Sequence, residues 1–350
     1  MTRVNICILG CGKVARTHSR VGRTLRKELQ FSYASRSLDK SREYNRKYKG
    51  AGAFGSYEEA CASRDVDAVF ICTPHAFHQE HAELAAAHGK PLLIEKPVAR
   101  SIEELRAIQK AVQIAQVPCM VAENYFFKPL VATLRSHLDR GDIGHPLFVE
   151  LNKTGTSRNT GWRTDAELMG GGALLEGGVH WVNLLRNIGG PVLEVLAAQP
   201  TVDYQRAAPV EDNLQILVRF QDGAIGKLLH SWRTRNRIGG LSSSRIHGTD
   251  GNIIFESNGL WALVVGRRKR LRIPGLLDIM GYRRMLRAFA RCVREGSKPE
   301  MSLAVARDDM EFVFAAYRSL RTRRFEPMGV DQTQPHMPVR MSNQSRESSR

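Results

Sequence analysis

A glycine-punctuated turn between an apolar strand and a helical pattern constrains this chain more than any other feature. Residues 4–9 read Val-Asn-Ile-Cys-Ile-Leu, and Gly10-Cys11-Gly12-Lys13-Val14-Ala15 follows at once. Gly10 permits the tight turn, Gly12 lets the backbone approach a pyrophosphate, and Ala15 is small enough for close helix–strand packing. The helix start then offers free N–H groups and a partial positive charge to phosphate. Gly10, Gly12, Lys13, Val14 and Ala15 are therefore expected to bind a dinucleotide.

The setting strengthens that expectation. Short apolar runs at 4–9, 30–35, 68–72, 91–94 and 118–122 alternate with amphipathic stretches at 13–28, 57–63, 78–88 and 101–116. This is the pattern of a parallel, doubly wound sheet covered by helices, an α/β Rossmann domain over residues 1–123. After residue 124 the character changes. A helix near 131–139 precedes strands with period-2 alternation at 147–154, 192–198, 245–247, 253–255 and 260–265. Residues 213–220 and 224–232 flank Gln221-Asp222-Gly223 as a hairpin. The expectation for 124–329 is an α/β domain with an open, mainly antiparallel sheet, closed by helices near 282–294 and 303–321. The polar tail 330–350 lacks an apolar period and is expected to be disordered.

At 350 residues the chain is longer than one core usually organises, which agrees with two domains. No apolar run reaches the roughly 18 residues that a membrane span needs, and the N-terminus lacks a signal-peptide layout. A cytoplasmic protein without a membrane partner is expected. Six cysteines form no C-x-x-C pair, so neither disulfides nor a thiolate metal site is indicated. The formal charge of +17 raises nucleic acid as a partner, but the arginines are spread out and no nucleic-acid-binding motif surrounds Arg267–Arg270 or Arg321–Arg324. They read as a solvated basic surface.

Ser35-Arg36-Ser37 ends the second strand run, where an NAD site usually carries an acid for the ribose 2′-hydroxyl. A hydroxyl and a guanidinium suit a 2′-phosphate instead. Ser35 and Arg36 thus point to NADP(H), with NAD(H) as the alternative, and Asp39 reads as the start of the next helix.

Further along, the chain resembles the Gfo/Idh/MocA family, named for glucose-fructose oxidoreductase and inositol dehydrogenase. The resemblance rests on Gly10 to Ala15, on Thr73-Pro74 followed by His78, and on Gly89-Lys90 leading to Glu95-Lys96-Pro97. It continues through Gly170-Gly171-Gly172, Glu176-x-Gly178-x-His180 and Ala315-Ala316-Tyr317-Arg318-Ser319, covering roughly residues 3–325. It implies NAD(P)-dependent oxidation or reduction of a carbinol or carbonyl carbon on a sugar, cyclitol or related polar substrate. It also implies homo-oligomers built on the open sheet, a cis peptide before Pro97, and Lys96 beside the nicotinamide. Thr73, Pro74, His78, Glu95, Lys96 and Pro97 join the expected cofactor residues on this ground.

The residues support a chemistry of their own. Lys96 follows a strand at its carboxyl end, where open α/β sheets place ligands, and an ammonium there stabilises a developing alkoxide. Residues 174–188 read as one helix with Glu176, His180 and Asn183 on one face. His180 is the expected proton acceptor, Glu176 its orienting carboxylate. Gly177 and Gly178 interrupt that helix and suggest close approach of a ligand. No second histidine is convincingly placed for a metal, and none is expected.

Two departures stand out: Glu176 and Asn183 occupy positions where the family usually and often, respectively, has Asp. Tyr125-Phe126 stands where relatives often carry Arg-Phe, with Lys128 a candidate replacement cation. Tyr125, Trp162, Arg163 and Asn183 are candidate substrate residues, with Trp181 and Trp232 as further aromatic walls. Arg158 and Arg163, on a loop over 154–167, suggest contact with an anionic substrate. A non-catalytic, dinucleotide-sensing regulator of the same fold is the alternative function.

Overall fold

The computed structural model describes residues 3–157, 160–200, 210–234 and 241–329. Arg158 and the tail from residue 330 lie outside them.

The first sheet holds six parallel strands: β1 (Val4–Leu9), β2 (Leu29–Ala34), β3 (Ala53–Phe54), β4 (Ala68–Ile71), β5 (Leu92–Ile94) and β6 (Cys119–Val121). Their order is β3-β2-β1-β4-β5-β6, so the winding reverses between β1 and β4. β1, β4, β5 and β6 are buried along their whole length, as expected for parallel strands covered on both faces. The connecting helices are α1 (Lys13–Gly22), α2 (Leu38–Tyr48), α3 (Tyr57–Ala62), α4 (His78–Ala87) and α5 (Ile102–Ala115). Serine hydroxyls of Ser37, Ser56 and Ser101 accept backbone N–H groups at the starts of α2, α3 and α5.

Three local expectations change here. The helix expected over 13–28 ends at Gly22, where a methyl group would stand 2.2 Å from the Phe31 ring. α2 was not expected in full and β3 not at all. Charged residues dominate α2, and it buries only Ser41, Tyr44 and Tyr48, so its apolar period rests on two tyrosines.

The second layer begins with α6 (Pro129–Asp139) and β7 (Pro146–Thr154), then α7 (Ala166–Met169), α8 (Val179–Gly189) and β8 (Val192–Ala198). It continues with β9 (Asn213–Phe220), β10 (Ile225–Ser231), β11 (Ser243–Gly248), β12 (Asn252–Glu256), β13 (Ala262–Val265) and β14 (Lys269–Arg272). Last come α9 (Tyr282–Glu295), α10 (Leu303–Thr322) and β15 (Glu326–Pro327). Nine strands pair in the order β14-β13-β12-β11-β7-β10-β9-β8-β15, antiparallel except for β7 beside β10. The end of the basic run 267–270 opens β14, an edge strand whose charges disfavour pairing with another chain. On β7 and β10 the buried alternates Val149, Leu151 and Leu228 face α8, while Phe148 stays exposed on the other side.

The two layers share chain. Met285, Leu286, Phe289 and Ala290 of α9 belong to the core of the first sheet, and α9 packs on α1 and β1. Among the described residues no helix is long and apolar enough to cross a membrane. All six cysteines are free thiols.

Candidate active site

The reversal between β1 and β4 opens a crevice at their carboxyl ends, the usual ligand position in open α/β sheets. Gly10 follows β1 with φ +97°, and a Cβ there would lie 3.0 Å from the Cys72 carbonyl oxygen. Gly12, exposed, has nothing within 4 Å of the equivalent position. It precedes α1 without any side-chain cap, so the first N–H groups of the helix are left for a ligand. Tyr44 donates its hydroxyl hydrogen to the Gly12 carbonyl at 3.0 Å and anchors the loop from beneath. Lys13 is exposed, Val14 half-buried and Ala15 fully buried against the sheet. These features fit a dinucleotide pyrophosphate. Ser35 and Arg36 stand at the end of β2, with Arg36 exposed and Asp39 in the first turn of α2.

Behind the crevice, Thr73 Oγ1 lies 3.0 Å from His81 Nδ1. His78 is fully buried, its two ring nitrogens 3.0 and 3.1 Å from the carbonyl oxygens of Pro97 and Thr73. Burial, with the neighbouring His75, pushes its pKa down to about 4, so the ring is neutral and donates to one carbonyl at a time. The Lys96–Pro97 peptide is cis. Glu95 is buried with Oε1 2.6 Å from His18 Nε2. Burial pushes the Glu95 carboxyl up, but His18, Lys96 and His180 together hold it below the usual range. His78 and Glu95 thus brace the loops that carry Thr73, Pro74 and Lys96. Both side chains are engaged by protein groups, and the cofactor contacts expected of them rest on the family resemblance alone.

Lys96 reaches from the end of β5 to the second layer, where Nζ donates to the Glu176 carbonyl at 2.5 Å. Glu176 does not sit on one unbroken helix with His180. Leu174–Gly178 forms a wide π-helical turn before α8 begins at Val179, in keeping with the weak helix propensity of Gly177 and Gly178. Gly177 faces the Trp232 indole, 3.3 Å from where its Cβ would stand, and Gly178 faces Leu174. Tyr317, on α10, accepts the N–H groups of Gly172 and Leu175 and donates to Glu211, fixing the same turn.

The Glu176 carboxylate is claimed by Arg163 Nε at 2.6 Å and lies 3.0 Å from His75 Nε2. Burial pushes it up, yet Lys96, His75 and Arg163 outweigh that and hold it well below the ordinary carboxylate range. The expected orienting role of Glu176 toward His180 is therefore corrected: its charge serves Arg163 and His75. Arg163 also stacks 4.2 Å from the Trp162 ring, and Trp162 meets His75 edge-on at 4.6 Å. Arg163 thus spends its Nε on Glu176, while its side chain stays 25% exposed.

The partner of His180 is Glu123, a residue the sequence reading passed over. Glu123 Oε1 lies 2.5 Å from His180 Nδ1. Tyr125 stacks parallel to the His180 ring, centroids 4.5 Å apart at 14°, and Lys128 Nζ stands 4.0 Å over the same tyrosine ring. Tyr125 is buried, so it is a platform for His180 and not the expected substrate wall. Asn183 is also corrected. It is fully buried and donates to Asp309 on α10 at 2.7 Å, away from the crevice. Trp181 is buried in the core of the second layer.

Lys153 on β7 and His230 on β10 are register partners that continue the buried rows ending in Leu151 and Leu228. His230 is driven down to about 3, by burial first and then by Lys153, His180 and Lys96. The only sequence signal for this pair is a polar residue where the apolar alternation should continue. For Glu123 it is an acid directly after the apolar run 119–122, and His75 lies inside the Thr73–His78 motif. Among the described residues no cluster of three or more His, Cys, Asp or Glu is grouped to hold a metal.

Comparison with known proteins matches residues 4–123 to the NAD-binding Rossmann fold of an oxidoreductase family, and residues 131–254 to the GFO/IDH/MocA C-terminal domain. Levoglucosan dehydrogenase of Pseudarthrobacter phenanthrenivorans is 27% identical over 282 residues, 72% of this chain and 70% of that protein. The NAD(+)-type scyllo-inositol 2-dehydrogenase of Bacillus subtilis is 26% identical over 266 residues, 73% and 76% of the two chains. A solved levoglucosan dehydrogenase in complex with NADH and levoglucosan superimposes with a TM-score of 0.83 at 22% identity, over 94% of this chain and all of the other. These relatives are dehydrogenases and lend no support to the sensing-regulator alternative. The chain belongs to the Gfo/Idh/MocA family of NAD(P)-dependent oxidoreductases.

Proposed function

We propose that this protein interconverts a secondary alcohol and a ketone on a sugar- or cyclitol-like polyol, with NADP(H) preferred over NAD(H). The observation that carries the reading is the Lys96–Glu176 carbonyl bond. It fixes an ammonium from the dinucleotide layer one turn before His180. The bound nicotinamide supplies the hydride acceptor or donor. Lys96 retains two N–H donors beyond its bond to Glu176, and these hold the substrate oxygen as charge develops on it. His180 takes the hydroxyl proton on its free Nε2 during oxidation and returns it during reduction.

The polyol class is supported by the dehydrogenases the chain resembles and by Trp162 and Trp232 beside the site. Preference for NADP(H) is supported by the exposed Arg36 at the end of β2 and by Ser35 beside it. The exposed Phe148 and Leu193 on the open face support a homo-oligomer, and six free thiols suit a cytoplasmic setting.

Calorimetric titration of NADPH and NADH into nucleotide-free protein, followed by a polyol screen with the tighter cofactor, tests this. We expect NADPH to bind about 10-fold or more tightly, with Arg36→Ala erasing most of the difference. Equal or tighter NADH binding contradicts the cofactor preference, and no polyol oxidation with either contradicts the substrate class.

A further inference from the structure

We propose that Glu123 is a positioning residue that fixes the tautomer of His180 and stabilises its protonated form. The proposal rests on the reading of His180 as the acid–base group. An ionised carboxylate only accepts, so a Glu123 Oε1 at 2.5 Å requires the ring hydrogen on Nδ1. The lone pair is then on Nε2, on a ring that is 16% exposed.

Two further contacts make the pair rigid. Glu123 Oε1 also accepts the Tyr125 backbone N–H at 2.9 Å, which locks the carboxylate to the chain that carries the stacking ring. One face of Tyr125 is covered by the parallel imidazole, so the Lys128 ammonium 4.0 Å from its centroid occupies the other. Tyr125 is thereby held against His180 from behind.

Glu123 is 1% exposed, and its Oε2 has no hydrogen-bond partner among the described residues. A buried carboxylate oxygen without a donor is costly and signals a role other than stability. That role is to face a charge formed during turnover. As the substrate O–H bond breaks, the proton passes to Nε2, and the resulting imidazolium places its charge against Glu123. In the reducing direction the same proton returns. Glu95 and His230 are the other titratable groups that feel His180, and Lys96 acts on both.

The test compares kcat, KM and the pH dependence of kcat/KM in the oxidising direction for wild type, Glu123→Gln, Glu123→Asp and His180→Ala. Glutamine keeps the shape and the acceptor but removes the charge. We expect kcat of Glu123→Gln to fall about 10- to 100-fold with KM nearly unchanged. Its acid limb should move to lower pH, because an imidazolium is no longer favoured, and Glu123→Asp should return the limb toward wild type. If the glutamine variant fails to fold, as judged by melting and dinucleotide binding, the equally neutral Glu123→Asn carries the same comparison against Glu123→Asp. An unaltered profile and kcat in Glu123→Gln, with His180→Ala inactive, overturns the proposal and spares the role of His180. Full turnover by His180→Ala overturns the reading beneath it.

Discussion

Lys96 Nζ donates to the carbonyl of Glu176 across 2.5 Å, tying the end of β5 to the π-helical turn that precedes α8. One hydrogen bond thus links the two layers at the point where the proposed dinucleotide and substrate sites adjoin. The site is a seam, and its parts respond differently to substitution.

Gly10 and Gly12 separate fold from binding. Gly10→Ala places a side chain at φ +97° against the Cys72 carbonyl, and should destabilise the protein by about 1–3 kcal/mol. Gly12→Ala adds a methyl group to open space, so melting should hardly move. The same methyl group stands where a pyrophosphate approaches, and dinucleotide affinity should drop about 10-fold or more. Melting curves paired with cofactor titration check both halves; a Gly12→Ala protein with wild-type affinity contradicts the cradle.

Asn183 tests the correction to the substrate residues. Its side chain bonds Asp309 and accepts from Asn187 in the buried contact between α8 and α10. Asn183→Ala should cost about 1–3 kcal/mol in denaturant unfolding by leaving buried partners unpaired. KM for the polyol should stay near wild type, whereas a large KM increase in a stable variant would return Asn183 to the substrate pocket.

Lys128 gives stability a pH dependence. Burial outweighs Glu256 and Glu123 and brings the lysine down from 10.5 to about 8 in the folded protein. Between about pH 8 and 10.5 the unfolded chain binds more protons, so stability rises with pH through that window. The penalty for the charged form is fully present below pH 8 and amounts to about 3 kcal/mol at most. Lys128→Met should therefore melt above wild type at pH 7, and that advantage should shrink as pH climbs past 8. A gap that stays constant with pH contradicts this.

The fold was legible where its causes are local. The strand, the Gly10–Ala15 turn and the start of α1 are contiguous, so their spacing alone places them. α2 was obscured because Tyr44 and Tyr48 supply its buried face where an aliphatic stripe would be recognised. Spacing also placed Glu176, His180 and Asn183 near one another without saying which neighbour each would meet. Those neighbours are remote: Glu123 is 57 residues from His180, and Asp309 is 126 from Asn183. A helical face can be read from periodicity, but its occupant is decided by tertiary packing.

The most direct test of the central claim is turnover by Lys96→Ala and His180→Ala, measured by rapid mixing with saturating dinucleotide and a polyol the wild type oxidises. The account predicts that each variant binds dinucleotide within a few-fold of wild type, yet loses about 100-fold or more in the hydride-transfer rate. Wild-type rates in both variants would contradict it and move the chemistry to other residues of the crevice.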